Sequence, residues 1–226
     1  MSTSRQEFGA GPLPRVANVV MWFLVVEGLL VLTLAPGLAL ALVLTPDATN
    51  LPLFALAALP VGPALAAAFF TWRRFHEERD TSPAQHFARG YRINLGDSLR
   101  VWVPAVVVLL VLTMNLASQD ATGIGRPVAV LYAVMSVVVL VLALRMLAIT
   151  ATFAFRWRDV ARITVLSLGA RPLPTLGLLS YVVLVVGLTV VTFDAVVVML
   201  ASLLTYGVLR NELSVLGMVR RRFVAP

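Results

Sequence analysis

Apolar residues gather into five long stretches, 16–44, 51–72, 101–117, 127–155 and 172–209, and short segments between them hold most of the charge. A helix needs about 17 to 25 apolar residues to cross a bilayer core roughly 30 Å thick, so each stretch can supply a crossing. The last one is too long for a single crossing: as a continuous helix 172–209 would measure about 57 Å, or about 28 Å for each of two legs. Its only charge is Asp194, near the middle, in Thr192-Phe193-Asp194. A turn there makes a hairpin, and the pattern predicts an all-α, polytopic membrane protein. Its single domain, 1–226, has six helices at about 16–44, 50–72, 101–118, 127–150, 172–191 and 194–210.

The segment 73–100, between the second and third of these helices, is the one substantial polar piece. Ser82 suits a helix cap and Pro83 the first helical position. Phe87, Tyr91, Leu95 and Leu99 recur every four residues, with Arg89 and Arg92 off that stripe. The expectation is an amphipathic helix on the cytoplasmic membrane surface. A sharper reading makes it a docking helix for a cytosolic partner, through Phe87, Arg89, Tyr91 and Arg92.

Charge placement orients the bundle. All 18 basic residues are arginine. Sixteen fall at the amino terminus, in 73–100, in 156–171 and in the tail from Arg210, whereas the intervening loops hold only Arg126. Short loops rich in Lys and Arg stay inside, so both termini are expected in the cytoplasm.

Composition agrees: 60% of the residues are hydrophobic and 13% charged, against about 45–50% and 25% in soluble domains. A net charge of +7 would suggest nucleic acid if it formed one patch, but its distribution beside apolar stretches reads as membrane topology, so no nucleic-acid partner is expected. With no cysteine, disulfides, thiolate nucleophiles and Cys-ligated metals are excluded. Arg5 and Arg15 before an apolar run, with Ala39-Leu40-Ala41 after it, resemble a signal peptide; the run far exceeds the 7–15 residues or so of such a region, which reads as an uncleaved first helix.

Candidate chemistry is sparse. His76-Glu77-Glu78-Arg79-Asp80 lacks the second histidine four residues on that a zincin helix needs, and His86 reads as a surface residue. No nucleophile elbow, phosphate loop or dinucleotide fingerprint occurs, and Gly123-Ile124-Gly125 reads as an outer turn. No enzymatic activity and no cofactor are expected. Pro36-Gly37 in the first helix and Pro60-Val61-Gly62-Pro63 in the second interrupt the backbone ladder; such breaks are either ordinary kinks or, as in transporters, the lining of a binding site.

Two ionisable residues lie inside apolar stretches, Glu27 and Arg145, where a charge is costly. Glu27 is about 18 Å along its helix from Arg15, and Arg145 about 16 Å from Arg156. Equal depth suggests an ion pair; the alternatives are snorkelling of Arg145 to the inner surface and a hydrogen-bonded packing role for Glu27.

The run LPLFALAALPVGPALAAAFFTWRRF followed by SPAQHFARGYRINLGDSLRVWVP, about residues 50–105, resembles the YesL-like family of bacterial integral membrane proteins of unknown function. The shared elements are an apolar segment reaching the Gly62-Pro63-Ala64 turn, a basic stretch, and the segment Phe87 to Asn94 entering the next helix. The family's association with carbohydrate-uptake gene sets implies an accessory or regulatory role beside ABC-type transporter subunits. No catalytic residues carry over. The alternative is a membrane subunit that itself binds a small solute.

Overall fold

The structure, a computed structural model, describes residues 12–77, 82–119, 125–192 and 194–223. These form α1 (Pro12–Val43), a short 3-10 turn (Ala48–Asn50), α2 (Leu51–Ala57), α3 (Val61–Glu77), α4 (Pro83–Ala117), α5 (Arg126–Thr150), α6 (Trp157–Ala170), α7 (Pro172–Val191), α8 (Asp194–Met199) and α9 (Ala201–Phe223). No strand occurs among the described residues. Among the described residues, five segments are long and apolar enough to cross a membrane: Val16–Val43, Ala48–Phe75, Pro83–Ala117, Arg126–Thr150 and Pro172–Val191. Helix α7 ends at Val191 and α8 begins at Asp194, and the turn expected at Thr192-Phe193-Asp194 lies partly outside the described residues. Residues 78–80 of the charged run, Asp120, residues 123 and 124 of the outer turn, Phe193, and residues 1–11 with Arg5 lie outside the described residues.

The outward faces are apolar. Val103, Val107 and Val111 of α4, Val130, Val134 and Val138 of α5, and Val183, Val186 and Val190 of α7 are all exposed. In water such patches would be interaction sites; against lipid tails they are the ordinary surface, since helices satisfy their backbone polar groups internally. Inside, Trp22, Val26 and Leu30 of α1 are fully buried at helical spacing. An aromatic cluster joins α1, α3 and α9, with ring centroids 4.6 Å apart for Phe23 and Trp72, 5.0 Å for Trp22 and Phe75, and 5.2 Å for Trp72 and Tyr206.

The two proline-glycine motifs behave differently. Helix α1 runs unbroken through Pro36, and Gly37 is a packing seat, because a Cβ there would run into the backbone oxygen of Ala57 at the end of α2. The second motif does break its helix: α2 stops at Ala57 and α3 starts at Val61, with Pro60 between them and Pro63 in the first turn of α3. The break exposes the Ala58 carbonyl, which accepts a hydrogen bond from Trp102 Nε1 at 2.8 Å. Gly62 lets that indole lie flat against α3, since a Cβ would overlap it. Trp102 of α4 thus adds a donor to a carbonyl in the α2–α3 break that also accepts the Val61 N–H at 3.2 Å.

The expected separate surface helix is corrected. Residues 83–99 are helical but continue without interruption into the third membrane segment as one helix of 35 residues, Pro83–Ala117. Its buried stripe is Phe87, Gly90, Asn94, Ser98, Trp102 and Ala105. A strict four-residue spacing advances about 40° per step around a helix with 3.6 residues per turn, so Tyr91 is only partly buried and Leu95 is exposed. Arg89 and Arg92 are exposed, off the stripe. The arginine-bearing segment 156–171 is not a bare connection between apolar stretches: residues 157–170 form the amphipathic helix α6, with Val160, Ile163, Thr164 and Ser167 buried.

Gly90 sets the spacing of α3 and α4, because a Cβ on it would lie 2.9 Å from Cβ of Phe70, whereas Gly96 on the same helix has open space. Overpacking costs about 1–3 kcal/mol, and alanine gains up to about 1 kcal/mol over glycine in a helix. Gly90→Ala should therefore lower the thermal midpoint of the detergent-solubilised protein, while Gly96→Ala leaves it equal or higher. Equal effects at the two positions would show that α3 and α4 are not held at that distance.

A buried arginine–glutamate centre as the candidate functional site

Arg145 and Glu212 are both completely buried. Arg145 lies in the last two turns of α5, and Glu212 lies in the middle of α9. The guanidinium meets the carboxylate edge-on: Nε donates to Oε2 at 2.9 Å and one terminal nitrogen donates to Oε1 at 3.0 Å. This two-bond fork is the strongest geometry available to such a pair. The other terminal nitrogen donates to Thr175 Oγ1 at 2.9 Å, with Ser167 Oγ at 3.5 Å. Thr175 is held by its own bond to the Arg171 carbonyl, and Ser167 by its bond to the Thr164 carbonyl. Asn211 Nδ2 donates to Glu212 Oε1 at 3.3 Å and to the Pro174 carbonyl at 2.8 Å. Four helices, α5, α6, α7 and α9, therefore contribute to one polar centre.

Local sequence explains the convergence. In α9 the buried residues Ser202, Thr205, Val208, Leu209, Glu212, Val215, Leu216 and Val219 follow a three-to-four repeat, which places Glu212 in the middle of the face that packs inward. Gly177 and Gly207 bring α7 against α9: a Cβ on Gly177 would overlap the Asn211 amide, and one on Gly207 the Tyr181 hydroxyl.

The Glu27–Arg145 pair expected from equal depth is not formed. Arg145 takes Glu212, and Glu27 instead accepts the backbone N–H of Ser202 on Oε2 at 2.8 Å. That bond serves the first turn of α9, where amide groups lack partners within the helix and carry partial positive charge. Glu27 is thereby the cap of a helix begun inside the bundle, while its Oε1 is buried with no partner. The capped turn continues inward, since Thr205 Oγ1 donates to the Ser202 carbonyl and receives Trp72 Nε1 at 3.1 Å. Depth arithmetic identified two residues that both matter but could not choose among carboxylates, because Glu212 lies past the last apolar run. The periodic stripe of α9 was the signal that would have found it.

Of the residues read as a docking face, Phe87 is buried against the core and Tyr91 half-buried, leaving Arg89 and Arg92 on the surface beside exposed Ile93. Among the described residues no group of three or more His, Cys, Asp or Glu side chains stands close enough together to hold a metal ion.

Residues 15–116 match the family model described as "Protein of unknown function, DUF624", the family also called YesL-like. The match spans the first three membrane segments. The region covers just under half of the chain, and contains Glu27, the break at Pro60 and the whole of α4 except its last residue. Arg145 and Glu212 lie beyond the DUF624 match. No curated protein and no solved structure matches the chain.

Removing one partner of a buried ion pair costs about 3–5 kcal/mol, because the other charge is left uncompensated. Arg145→Gln and Glu212→Gln should each destabilise the protein on that scale in detergent unfolding, and the double variant should lose clearly less than the sum. Glu27→Gln combined with Arg145→Gln should be additive. Additivity for the first pair, or strong coupling for the second, would contradict the pairing described.

Proposed function

We propose that this protein is a non-enzymatic component of the bacterial inner membrane that assists or regulates a solute transport system, with carbohydrate import by ABC-type subunits as the transport class. The observation that carries the reading is the projection of α4. Its residues 83–100 add about 27 Å of helix beyond the apolar segment that follows, on the arginine-rich side of the bundle. Phe87 and Gly90 pin this extension to the core, and a Cβ on Gly90 would run into Phe70 of α3. Arg89, Arg92 and Ile93 line a shallow, exposed groove with Gln85 and Ala88. A rigid helix offering cations and one apolar side chain outside the bilayer suits contact with a protein partner.

The topology proposed with it has six crossings and both termini in the cytoplasm. The sixth is the combination of α8 with the first turns of α9, Asp194 to Arg210, about 25 Å long. Its support is the arginine distribution and the packing of α9 against α1, α3, α5 and α7, which makes it part of the bundle rather than a peripheral tail. The solute-binding alternative has one observation in its favour, a cavity of ≈ 270 Å³ between α3, α5, α7 and α9 lined by Val61, Phe69, Leu140, Tyr181 and Val208. That lining suits a hydrocarbon guest better than a sugar.

Affinity purification from native membranes, read by quantitative mass spectrometry, should enrich permease or ATPase subunits with the wild-type chain. Arg89→Glu combined with Arg92→Glu should abolish that enrichment without lowering the protein's own abundance. Enrichment that is absent, or unchanged in the double variant, rejects the docking role. For topology, reporter fusions after Arg222 should read cytoplasmic and after Asp120 external; an external reading at Arg222 rejects the six-crossing arrangement.

A further inference from the structure

Where α5 ends and α6 begins, three arginines from two helices face one cleft of ≈ 430 Å³. Arg100 comes from α4, one residue before its apolar segment, and Arg156 and Arg158 flank Trp157 at the start of α6. Phe155 and the exposed Trp157 supply the apolar wall, and Asp97 is the one acid in the lining. Asp97 is engaged with Arg100 at 2.7 Å on an exposed surface. Asp159 lies in the first turn of α6. Arg158 lies over the Trp157 ring, 5.5 Å from its centroid, and neither Arg156 nor Arg158 makes a hydrogen bond or ion pair to another side chain among the described residues. The loop that presents them is fixed from below, since Arg73 of α3 donates to the Thr152 carbonyl at 3.0 Å and Phe153 stacks on Phe155 at 5.3 Å.

We propose that this cleft is a binding site for the phosphate headgroup of an anionic phospholipid. Its position sets the occupant. The exposed valines of α4 that face hydrocarbon begin at Val103, three residues beyond Arg100, so the cleft stands at the level where headgroups lie. An amphipathic indole beside arginines is the usual composition of that level. The three guanidinium groups outnumber the one acid of the lining, leaving a surplus of positive charge, and guanidinium groups bind phosphate oxygens in a planar fork. Basic clusters at a bilayer edge gain affinity for anionic lipid with each cation added. The site depends on the helices lying in a bilayer, and is independent of the crossing count and of any transport partner.

The test uses the full-length protein in phosphatidylcholine nanodiscs doped with brominated lipid, which quenches nearby indoles. The Trp157 contribution is isolated by difference from Trp157→Phe. Brominated phosphatidylglycerol should quench that component at several-fold lower mole fraction than brominated phosphatidylcholine. Each arginine near the surface is worth roughly five-fold in affinity, so Arg156→Gln with Arg158→Gln should erase the preference. Both positions are exposed, and an unchanged thermal midpoint will verify that the double variant is folded. Equal quenching by the two lipids, or a preference that survives the double variant, overturns the proposal. Millimolar inorganic phosphate that removes the preference at constant ionic strength would assign the site to a soluble phosphate and overturn the lipid assignment.

Discussion

A guanidinium and a carboxylate withdrawn together from both water and lipid are the constraint on which the carboxy-terminal half of this bundle depends. Neither Arg145 nor Glu212 could be buried alone, because an isolated charge in a medium of low dielectric costs several kcal/mol even after relaxation. Together, with Thr175 and Ser167 accepting from the other guanidinium nitrogen and Asn211 donating to the carboxylate, they become tolerable. A fork of two bonds has little angular freedom, so the pair also sets how α5 and α9 are rotated about their own axes. Apolar packing in lipid has no comparable selectivity, since leucine on one face of a helix is as well solvated by tails as by a neighbouring helix.

A second polar device works on the other side of the bundle. Glu27 reaches across from α1 to cap the first turn of α9, and Trp72 of α3 closes the chain through Thr205. Close approaches recur through the bundle: Gly37 under the end of α2, Gly62 under Trp102, Gly90 under Phe70, and Gly177 and Gly207 between α7 and α9, where Gly177 makes room for Asn211 of the polar centre. Small residues at helix crossings are how membrane helices come near enough for dispersion and hydrogen bonds to hold them. The same logic gives the break around Pro60 a structural meaning, as a carbonyl within it accepts the indole N–H of a tryptophan from the next long helix.

Much of the architecture was legible in the sequence for a simple reason: hydrocarbon thickness sets helix length, and an apolar run shows its length directly. The five long segments and the end of α7 at Val191 follow from that. What was not legible depended on rotation rather than length. Phe87, Tyr91, Leu95 and Leu99 look like one face when counted in fours, yet a real helix turns them away from each other, and only Phe87 stays fully inside. Residues 157–170 were hidden because an amphipathic helix with three arginines at or near its start has no long apolar run. Arg145 stood out as a charge in an apolar stretch, but its partner did not, because Glu212 sits among polar neighbours and its burial is visible only through the period of α9.

The partners in both polar devices lie far apart along the chain. Arg145 and Glu212 are separated by 67 residues, and Glu27 and Ser202 by 175. At a synthesis rate of about 5–20 residues per second, Arg145 emerges roughly 3 to 13 seconds before its carboxylate exists. During that interval the nascent bundle holds an uncompensated Arg145 cation and a Glu27 carboxylate that lacks the Ser202 N–H, and α9 supplies both partners. Synthesis of α9 through Glu212 is therefore the step that gives Arg145 its countercharge, at a point when the five long apolar segments already exist.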